Sequence, residues 1–107
     1  MPEKTIIDYD KENDDLFIFR ERGKIKGSVD IGDFIIDFSP DGKVLGMEIM
    51  NASSSLSHLK ISKQMLGNIK RATIRTVYKP DAFYILLLFV LENNEEIRTI
   101  VPIPAVA

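Results

Sequence analysis

Short apolar runs that predict β-strands recur along this chain. Ile6 to Tyr9 and Leu16 to Arg20 are rich in β-branched and aromatic residues and flank an acidic connector, which indicates two strands joined by a turn. Ser28 to Asp30 predicts a short edge strand between glycine-containing loops. In Phe34 to Phe38 the apolar positions alternate with a period of two, so one side of this strand is expected to meet the core.

A Ser-Pro-Asp-Gly sequence ending at Gly42 predicts a tight hairpin turn. Proline suits the first corner of a type I turn, and Gly42 is placed for the positive φ of a bulged hairpin. The strand that follows is expected to turn Leu45 and every second residue after it toward the core, and Glu48 away from it. Gly46 is costly inside a strand unless the backbone bulges or a neighbour packs closely over it.

Two short helices are predicted after this hairpin. Asn51 has a side-chain acceptor suited to an N-cap, and Ala52 to Leu59 are expected to follow as a helix. Ser62 is placed to cap a second helical segment that extends to Ile69. The helices therefore lie between two groups of strands.

The last third of the chain returns to strands. Ala72 to Tyr78, Phe83 to Leu91 and Ile97 to Ile103 are separated by turn residues, so two further hairpins are expected. We predict an α+β fold in a single domain, residues 1–107: an antiparallel β-sheet built as a meander of hairpins, with one or two short helices between the N-terminal and C-terminal strands. The pattern leaves open whether the C-terminal strands extend the first sheet or form a second layer.

The strand from Phe83 to Leu91 is apolar on both faces. Burying one large apolar side chain stabilises a protein by about 1.5–3 kcal/mol, so a face left in water forgoes much stabilisation. The rest of the chain or a second copy is expected to cover it, and a two-fold contact would use the same face twice, as in a homodimer. The candidate interface residues are Tyr84, Leu86, Leu88, Val90, Ile100 and Ile103.

Composition and charge narrow the classes of function. Cysteine is absent, which excludes disulfides, thiolate metal sites and thiol nucleophiles. No apolar run reaches the length of a membrane helix and the chain starts without a signal sequence, so a cytoplasmic protein is predicted. Residues 1–58 contain seven Lys/Arg against twelve Asp/Glu, whereas residues 59–107 contain seven against four, so the two parts differ in the sign of their charge.

Most of the basic excess lies in the window from Lys60 to Lys79, which contains no carboxylate. Clustered cations bind phosphates by releasing counterions, so RNA contact is one hypothesis. The candidate contacts are Lys63, Lys70, Arg71 and Arg75. Single-strand binders stack bases on several aromatic rings, and Tyr78 alone lies in the window, so nucleic acid is not the favoured partner.

No group of residues forms a recognisable reacting centre. The acidic connector from Asp10 to Asp15 has carboxylates at alternate positions, and Glu21 would be the twelfth position of a calcium loop that begins at Asp10. Asp15, however, occupies the position that requires glycine in such a loop. Asp37 and Glu48 are expected on one sheet face, and such a pair alone is a weak catalytic pattern. His58 is the single histidine and has no partners for a zinc site or a triad. We therefore predict no enzyme, no metal and no cofactor.

Two blocks of the sequence match a known pattern. Acidic residues at alternate positions precede Leu16, and Asp-Gly-x-Val-x-Gly-x-Glu-Ile-x-Asn-Ala-Ser runs from Asp41 to Ser53. With these blocks the chain resembles domain of unknown function family 2283 over about residues 8–56. The resemblance implies a compact antiparallel sheet with an adjoining helix, found in prokaryotes, without an established activity. The motif residues are Asp10, Asp14, Asp37, Asp41, Gly42, Gly46, Glu48 and Asn51.

These observations favour a non-enzymatic interaction domain that self-associates through its C-terminal hairpins. The resemblance also implies relatives encoded beside small toxin-like proteins, which gives a second hypothesis: an antitoxin-like module that neutralises a small basic partner protein. RNA contact through residues 60–79 is the third hypothesis. The segment from about Lys60 onward extends beyond the usual length of the family, so its role is inferred from its own residues.

Overall fold

The computed structural model describes residues 5–21 and 23–104. These residues form eight strands and two short helices, so the fold is α+β with a strong β character. The strands are β1 Thr5–Asp10, β2 Asp15–Arg20, β3 Gly27–Ile31, β4 Phe34–Phe38, β5 Val44–Ile49, β6 Ile69–Tyr78, β7 Ala82–Leu91 and β8 Glu96–Pro104. The helices are α1 Ala52–Ser55 and α2 Lys63–Leu66, and a 3₁₀ turn at Ser57–Leu59 lies between them.

The first five strands form one antiparallel sheet in the order β1-β2-β5-β4-β3. Hairpins join β1 to β2, β3 to β4 and β4 to β5. β2 pairs with β5, which is not its neighbour in sequence, so this sheet differs from the predicted meander. The pairing sets the buried Leu16 against Ile49 and the buried Ile18 against Met47. β3 lies at the edge of the sheet, as its short sequence predicts.

The predicted turn at Gly42 is confirmed. Gly42 has a φ of 83°, and its N–H donates to the carbonyl of Ser39 at 3.0 Å. The register shifts beside the turn, so that Phe38 pairs with Val44 and Leu45 is the extra residue of a bulge. Val44 is therefore buried in the core, whereas Leu45 lines a hollow on the outer side of the sheet. This corrects the prediction that Leu45 faces the core.

Strands β6, β7 and β8 form a second antiparallel sheet, which is a meander. It does not extend the first sheet, because its buried side chains and those of the first sheet belong to one hydrophobic cluster. At one end Phe38 and Phe83 pack edge to face with ring centroids 5.9 Å apart, and the Tyr78 hydroxyl donates to the Gly42 carbonyl at 3.3 Å. The C-terminal strands thus form a second layer over the first sheet.

The helical connection between the sheets is shorter than predicted. A single helix over Ala52 to Leu59 is interrupted at Leu56, whose φ of −106° and ψ of 19° are not helical. The cap of α2 at Ser62 is confirmed, since its Oγ accepts a hydrogen bond from the Met65 N–H at 3.1 Å. Ile69 begins β6 instead of ending a helix. Neither helix in the described ranges is long and apolar enough to cross a membrane.

Candidate functional site

The outer surface of the five-stranded sheet, which we call the front face, is lined with carboxylates. Residues that pair directly across neighbouring strands lie on the same side of a sheet. Phe17 pairs with Asp8 and with Glu48, and Ile35 pairs with Glu48 and with Asp30, so all five side chains lie on the outer side. The front-face carboxylates are Asp8, Asp10, Asp15, Asp30, Asp37 and Glu48. Within the five strand ranges, Arg20 is the one lysine or arginine. It follows the buried Leu16 and Ile18 at every second position of β2, so it belongs to the inner side of the sheet.

Three of these carboxylates crowd the centre of the front face on adjacent strands. Burial, the charges of Asp15 and Asp37, and a hydrogen bond with Asp15 raise the pKa of Glu48. Asp37 accepts a hydrogen bond from the Ser28 hydroxyl at 2.5 Å. The predicted approach of Asp37 and Glu48 is therefore present, and Asp15 joins them. The group concentrates the charge of three carboxylates on adjacent strands.

A shallow apolar hollow lies beside the central carboxylates. Its volume is about 360 Å³, and its lining combines aliphatic and aromatic residues with the charged residues Arg20, Glu21, Asp37 and Glu48. Phe19 is 41% exposed and Ile25 is 60% exposed at this hollow. Gly46 also lines the hollow, and Ile18 and Phe19 of β2 already occupy the space that a Cβ on Gly46 would need. The apolar lining is Phe17, Phe19, Ile25, Ile35 and Leu45.

The outer surface of the three-stranded sheet, which we call the back face, is apolar at its centre. Leu86 pairs with Ile100 of β8, and Tyr84 and Leu88 have the same alternation on β7. Ile100 is 61% exposed, whereas Leu86, Leu88 and Tyr84 are half-buried. Val90 shares this alternation but is buried. The back face therefore contains most of the residues predicted as an interface.

Ile103 is a correction to that set. It pairs with Phe83, it is 2% exposed, and it belongs to the core between the two sheets. Ile100 and Ile103 are three positions apart on one strand, so they point to opposite sides of the sheet. A contact made by the outer surface can therefore use Ile100 but not Ile103.

Arginines border the apolar centre of the back face. Arg75 pairs with Leu86, Arg98 pairs with Leu88, and Arg71 pairs with Val90. Glu96 is the one carboxylate within strands β6, β7 and β8, and it lies on the back face. It forms an ion pair with Arg98 at 3.2 Å. Arg98 lies outside the basic window of the sequence, and only the pairing of β8 with β7 shows that it belongs to this face. The back face is therefore cationic.

The structure divides the basic window that predicted RNA contact. Arg71 and Arg75 share the back face, but Lys63 lies on α2. Lys70 is the extra residue where the β6 register shifts, and its ammonium group donates to the side chain of Asn94. The four candidate cations therefore do not form one continuous strip.

Asp14, one of the motif residues, ties the first turn to the start of α1. Its carboxylate accepts hydrogen bonds from the Tyr9 hydroxyl at 2.6 Å, the Ser53 hydroxyl at 2.6 Å and the Ser53 N–H at 3.1 Å. Burial alone would raise its pKa, but the bonds from Ser53 and Tyr9 hold the pKa of Asp14 below its ordinary value. Burial and the bond to Asp14 raise the pKa of Tyr9 to about 12. Asp14 thus serves as the helix cap.

Asn51 does not act as the predicted side-chain cap. Its backbone is left-handed, with φ 49° and ψ 48°, and no side-chain cap hydrogen bond is present. Its amide instead donates to the Asp33 carboxylate at 3.4 Å. Sequence patterns for helix caps cover only a few neighbouring positions, and Asp14 and Ser53 are 39 positions apart. Such patterns therefore do not point to Asp14 as the cap.

Other motif residues also hold turns and close contacts. Asp10 accepts hydrogen bonds from the backbone and side chain of Asn13, which lower the pKa of Asp10. The Ser39 hydroxyl donates to Asp41, which lowers the pKa of Asp41 inside the hairpin turn. A Cβ on Gly46 would lie 2.7 Å from the Ile18 carbonyl oxygen. The motif therefore specifies a local fold.

The remaining polar candidates do not come together. His58 Nε2 lies 3.2 Å from the Thr99 hydroxyl of β8, whereas Asp37 and Glu48 are on the front face of the other sheet. In residues 5–21 and 23–104, no three histidine, aspartate or glutamate side chains are arranged to hold a metal ion. The acidic connector that resembles a calcium loop uses Asp14 for helix capping instead.

Comparisons with known proteins match the part of the chain that contains the motif. Residues 6–53 match the model of the family described as protein of unknown function (DUF2283). An uncharacterized protein of Methanocaldococcus jannaschii is 37% identical over 95 residues, which cover 88% of this chain and 80% of that protein. No solved structure matches the chain.

A second relative has a more specific name. A protein of Methanosarcina mazei, named provisionally as a hypoxanthine phosphoribosyltransferase, is 35% identical over 66 residues. These residues cover 62% of this chain and 51% of that protein, so the match spans about half of the relative. The family model and the relative from Methanocaldococcus jannaschii decide the assignment: this chain belongs to the DUF2283 family, whose function is unknown.

Proposed function

We propose that this protein is a non-enzymatic interaction domain that self-associates through its back face. The observation that supports the proposal is the apolar centre of that face, where Leu86 and Leu88 flank the 61% exposed Ile100. Aromatic and arginine side chains are enriched in the contact regions of protein interfaces, and Tyr84, Arg75 and Arg98 lie in or beside this centre. Covering the centre removes apolar surface from water, which favours association.

Leu88→Lys tests the proposal because the lysine places a charge in the middle of the apolar centre. We expect the parent protein to associate between micromolar and millimolar concentration, and the variant to stay monomeric with an unchanged circular dichroism spectrum. Light scattering after size-exclusion chromatography measures the mass. Ser54→Lys is the matched control, because Ser54 is exposed on α1 and lies on neither face.

Ile100→Lys is a second variant that avoids the risk of unfolding, because Ile100 is already mostly exposed on β8. It is expected to lower the measured mass in the same way as Leu88→Lys. A parent protein that is monomeric at millimolar concentration, or lysine variants that keep the mass of the parent, would remove self-association from consideration.

A further inference from the structure

We infer that the back face of one copy docks on the front face of a second copy, so that the protein associates head to tail. This inference rests on the proposed self-association and names the surface that meets the back face. A two-fold contact would instead set the back face against itself. Such a contact would bring Arg71, Arg75 and Arg98 of both copies onto one surface, where Glu96 is the one carboxylate that each copy contributes from those strand positions. Juxtaposed like charges disfavour such a contact.

The front face has the opposite charge. Its central carboxylates, Asp15, Asp37 and Glu48, repel one another, and this repulsion contributes to the raised pKa of Glu48. An arriving guanidinium relieves the repulsion, because an opposite charge favours the ionised carboxylate. Arg75 and Arg98 are exposed on the strands that border Leu86 and Leu88. The charges of the two faces are therefore complementary between copies but not within one copy.

The two faces also match in the arrangement of their apolar atoms. On the front face, Phe19 and Ile25 border the hollow above Gly46, with carboxylates around it. On the back face, Leu88 and Ile100 form the apolar centre, with arginines around it. Arginine stems can lie on aromatic rings while the guanidinium group meets a carboxylate. An apolar centre with an acidic border thus meets an apolar centre with a basic border.

The size of the molecule allows a contact of ordinary area. Its two longer dimensions are 38 and 31 Å. A face of this extent can accommodate the roughly 800 Å² per partner that standard protein interfaces bury. The inner sides of the two sheets share one core, so the front face and the back face lie on separate outer surfaces and both are available in the same copy.

A head-to-tail contact leaves one unpaired front face and one unpaired back face at the ends of each assembly. Such contacts close into a ring or continue as a filament, whereas a two-fold contact stops at the dimer. The mean mass is therefore expected to rise with concentration beyond that of a dimer, and to level off only where a ring closes. The contact is also expected to weaken at about 0.5 M salt, where charges more than a few ångströms apart are screened.

Two variants with neutral side chains of similar shape separate the two arrangements. The front variant is Asp37→Asn with Glu48→Gln, and the back variant is Arg75→Gln with Arg98→Gln. Head-to-tail docking predicts that each variant associates about tenfold more weakly than the parent. An equimolar mixture regains one intact contact, between the back face of the front variant and the front face of the back variant. The mixture is therefore expected to form a 1:1 dimer at parental affinity.

Sedimentation velocity of the parent, each variant and the mixture gives the answer. A two-fold back-to-back contact predicts the opposite sign for the back variant, which should associate more tightly once its arginines are removed. It also predicts no change for the front variant. Either result overturns the head-to-tail inference while self-association stands. A monomeric parent at every concentration instead overturns the proposed function itself. Glu92→Gln with Glu95→Gln, outside both faces in the turn between β7 and β8, is the charge control.

Discussion

Asp14 connects three segments of the chain through one side chain. Its carboxylate accepts hydrogen bonds from Tyr9 on β1 and from Ser53 at the start of α1, and its own carbonyl accepts the Ala52 N–H at 2.8 Å. A cap formed by a residue distant in sequence holds the helix against the first hairpin. The motif aspartate is therefore explained by structure, without a ligand.

Asp14→Asn is expected to destabilise the fold by about 1–3 kcal/mol, because the amide NH2 replaces one of the two oxygens that accept from Ser53 and Tyr9 and cannot accept a hydrogen bond there. Urea unfolding measures the loss. Asp33→Asn is the matched control: Asp33 accepts longer bonds from Asn51 and Ser55, at 3.4 and 3.2 Å, in an exposed position. An equal loss in the two variants would contradict the special role of Asp14.

The same substitution has a defined pH dependence. The folded state lowers the pKa of Asp14, so its stabilisation is complete above the unfolded value of about 4 and is lost as the pH falls through the folded value. The difference in unfolding free energy between the parent and Asp14→Asn should therefore be largest near neutral pH and shrink in acid. A difference that grows as the pH falls would have the wrong sign.

Gly46 is required by a close approach between β5 and β2. An added Cβ would lie 2.7 Å from the Ile18 carbonyl oxygen and 2.8 Å from the Phe19 Cβ, and backbone atoms cannot move aside cheaply. Gly46→Ala is expected to cost about 1–3 kcal/mol, as overpacked positions do. Gly27→Ala is the control, because no atom lies within 4 Å of its added Cβ. Equal midpoints of urea unfolding for the two variants would contradict this prediction, because they would mean that β2 moves away from the added methyl group without loss of stability.

At the scale of elements, the sequence predicts what local residues determine. The Ser-Pro-Asp-Gly turn, the β7 strand and the Ser62 cap depend on neighbours within a few positions, and the structure contains each of them. The local pattern places the cap of α1 at Asn51, because nothing near it in sequence points to Asp14. The alternation places Leu45 on the core side, and the structure differs because one bulged residue reverses that alternation.

At the scale of the whole molecule, strand order decides which residues share a surface. The carboxylates of the front face come from five strands that span residues 5–49, and their common side appears only once β2 is known to pair with β5. Likewise, Arg98 joins Arg75 on the back face through the pairing of β7 with both of its neighbours. The difference in charge along the chain was visible in the sequence, but its separation onto opposite surfaces was not.

That separation gives the assembly a predicted dependence on pH. Glu48 faces Asp15 of β2 and Asp37 of β4, and its raised pKa means that it accepts a proton at a higher pH than an ordinary glutamate. Protonation of Glu48 removes one of the central charges of the front face, while the arginines of the back face keep their charge. Head-to-tail attraction should therefore weaken as the pH falls and Glu48 takes up a proton.

Sedimentation velocity as the pH is lowered, with circular dichroism to establish that the fold persists, measures the effect. The front variant, which lacks the Asp37 and Glu48 charges, should respond less to pH than the parent. Back-to-back association makes a different prediction, because Glu48 and the other front-face carboxylates take no part in that contact. The parent and the front variant would then show the same pH profile, and that coincidence would exclude the front face as the docking surface.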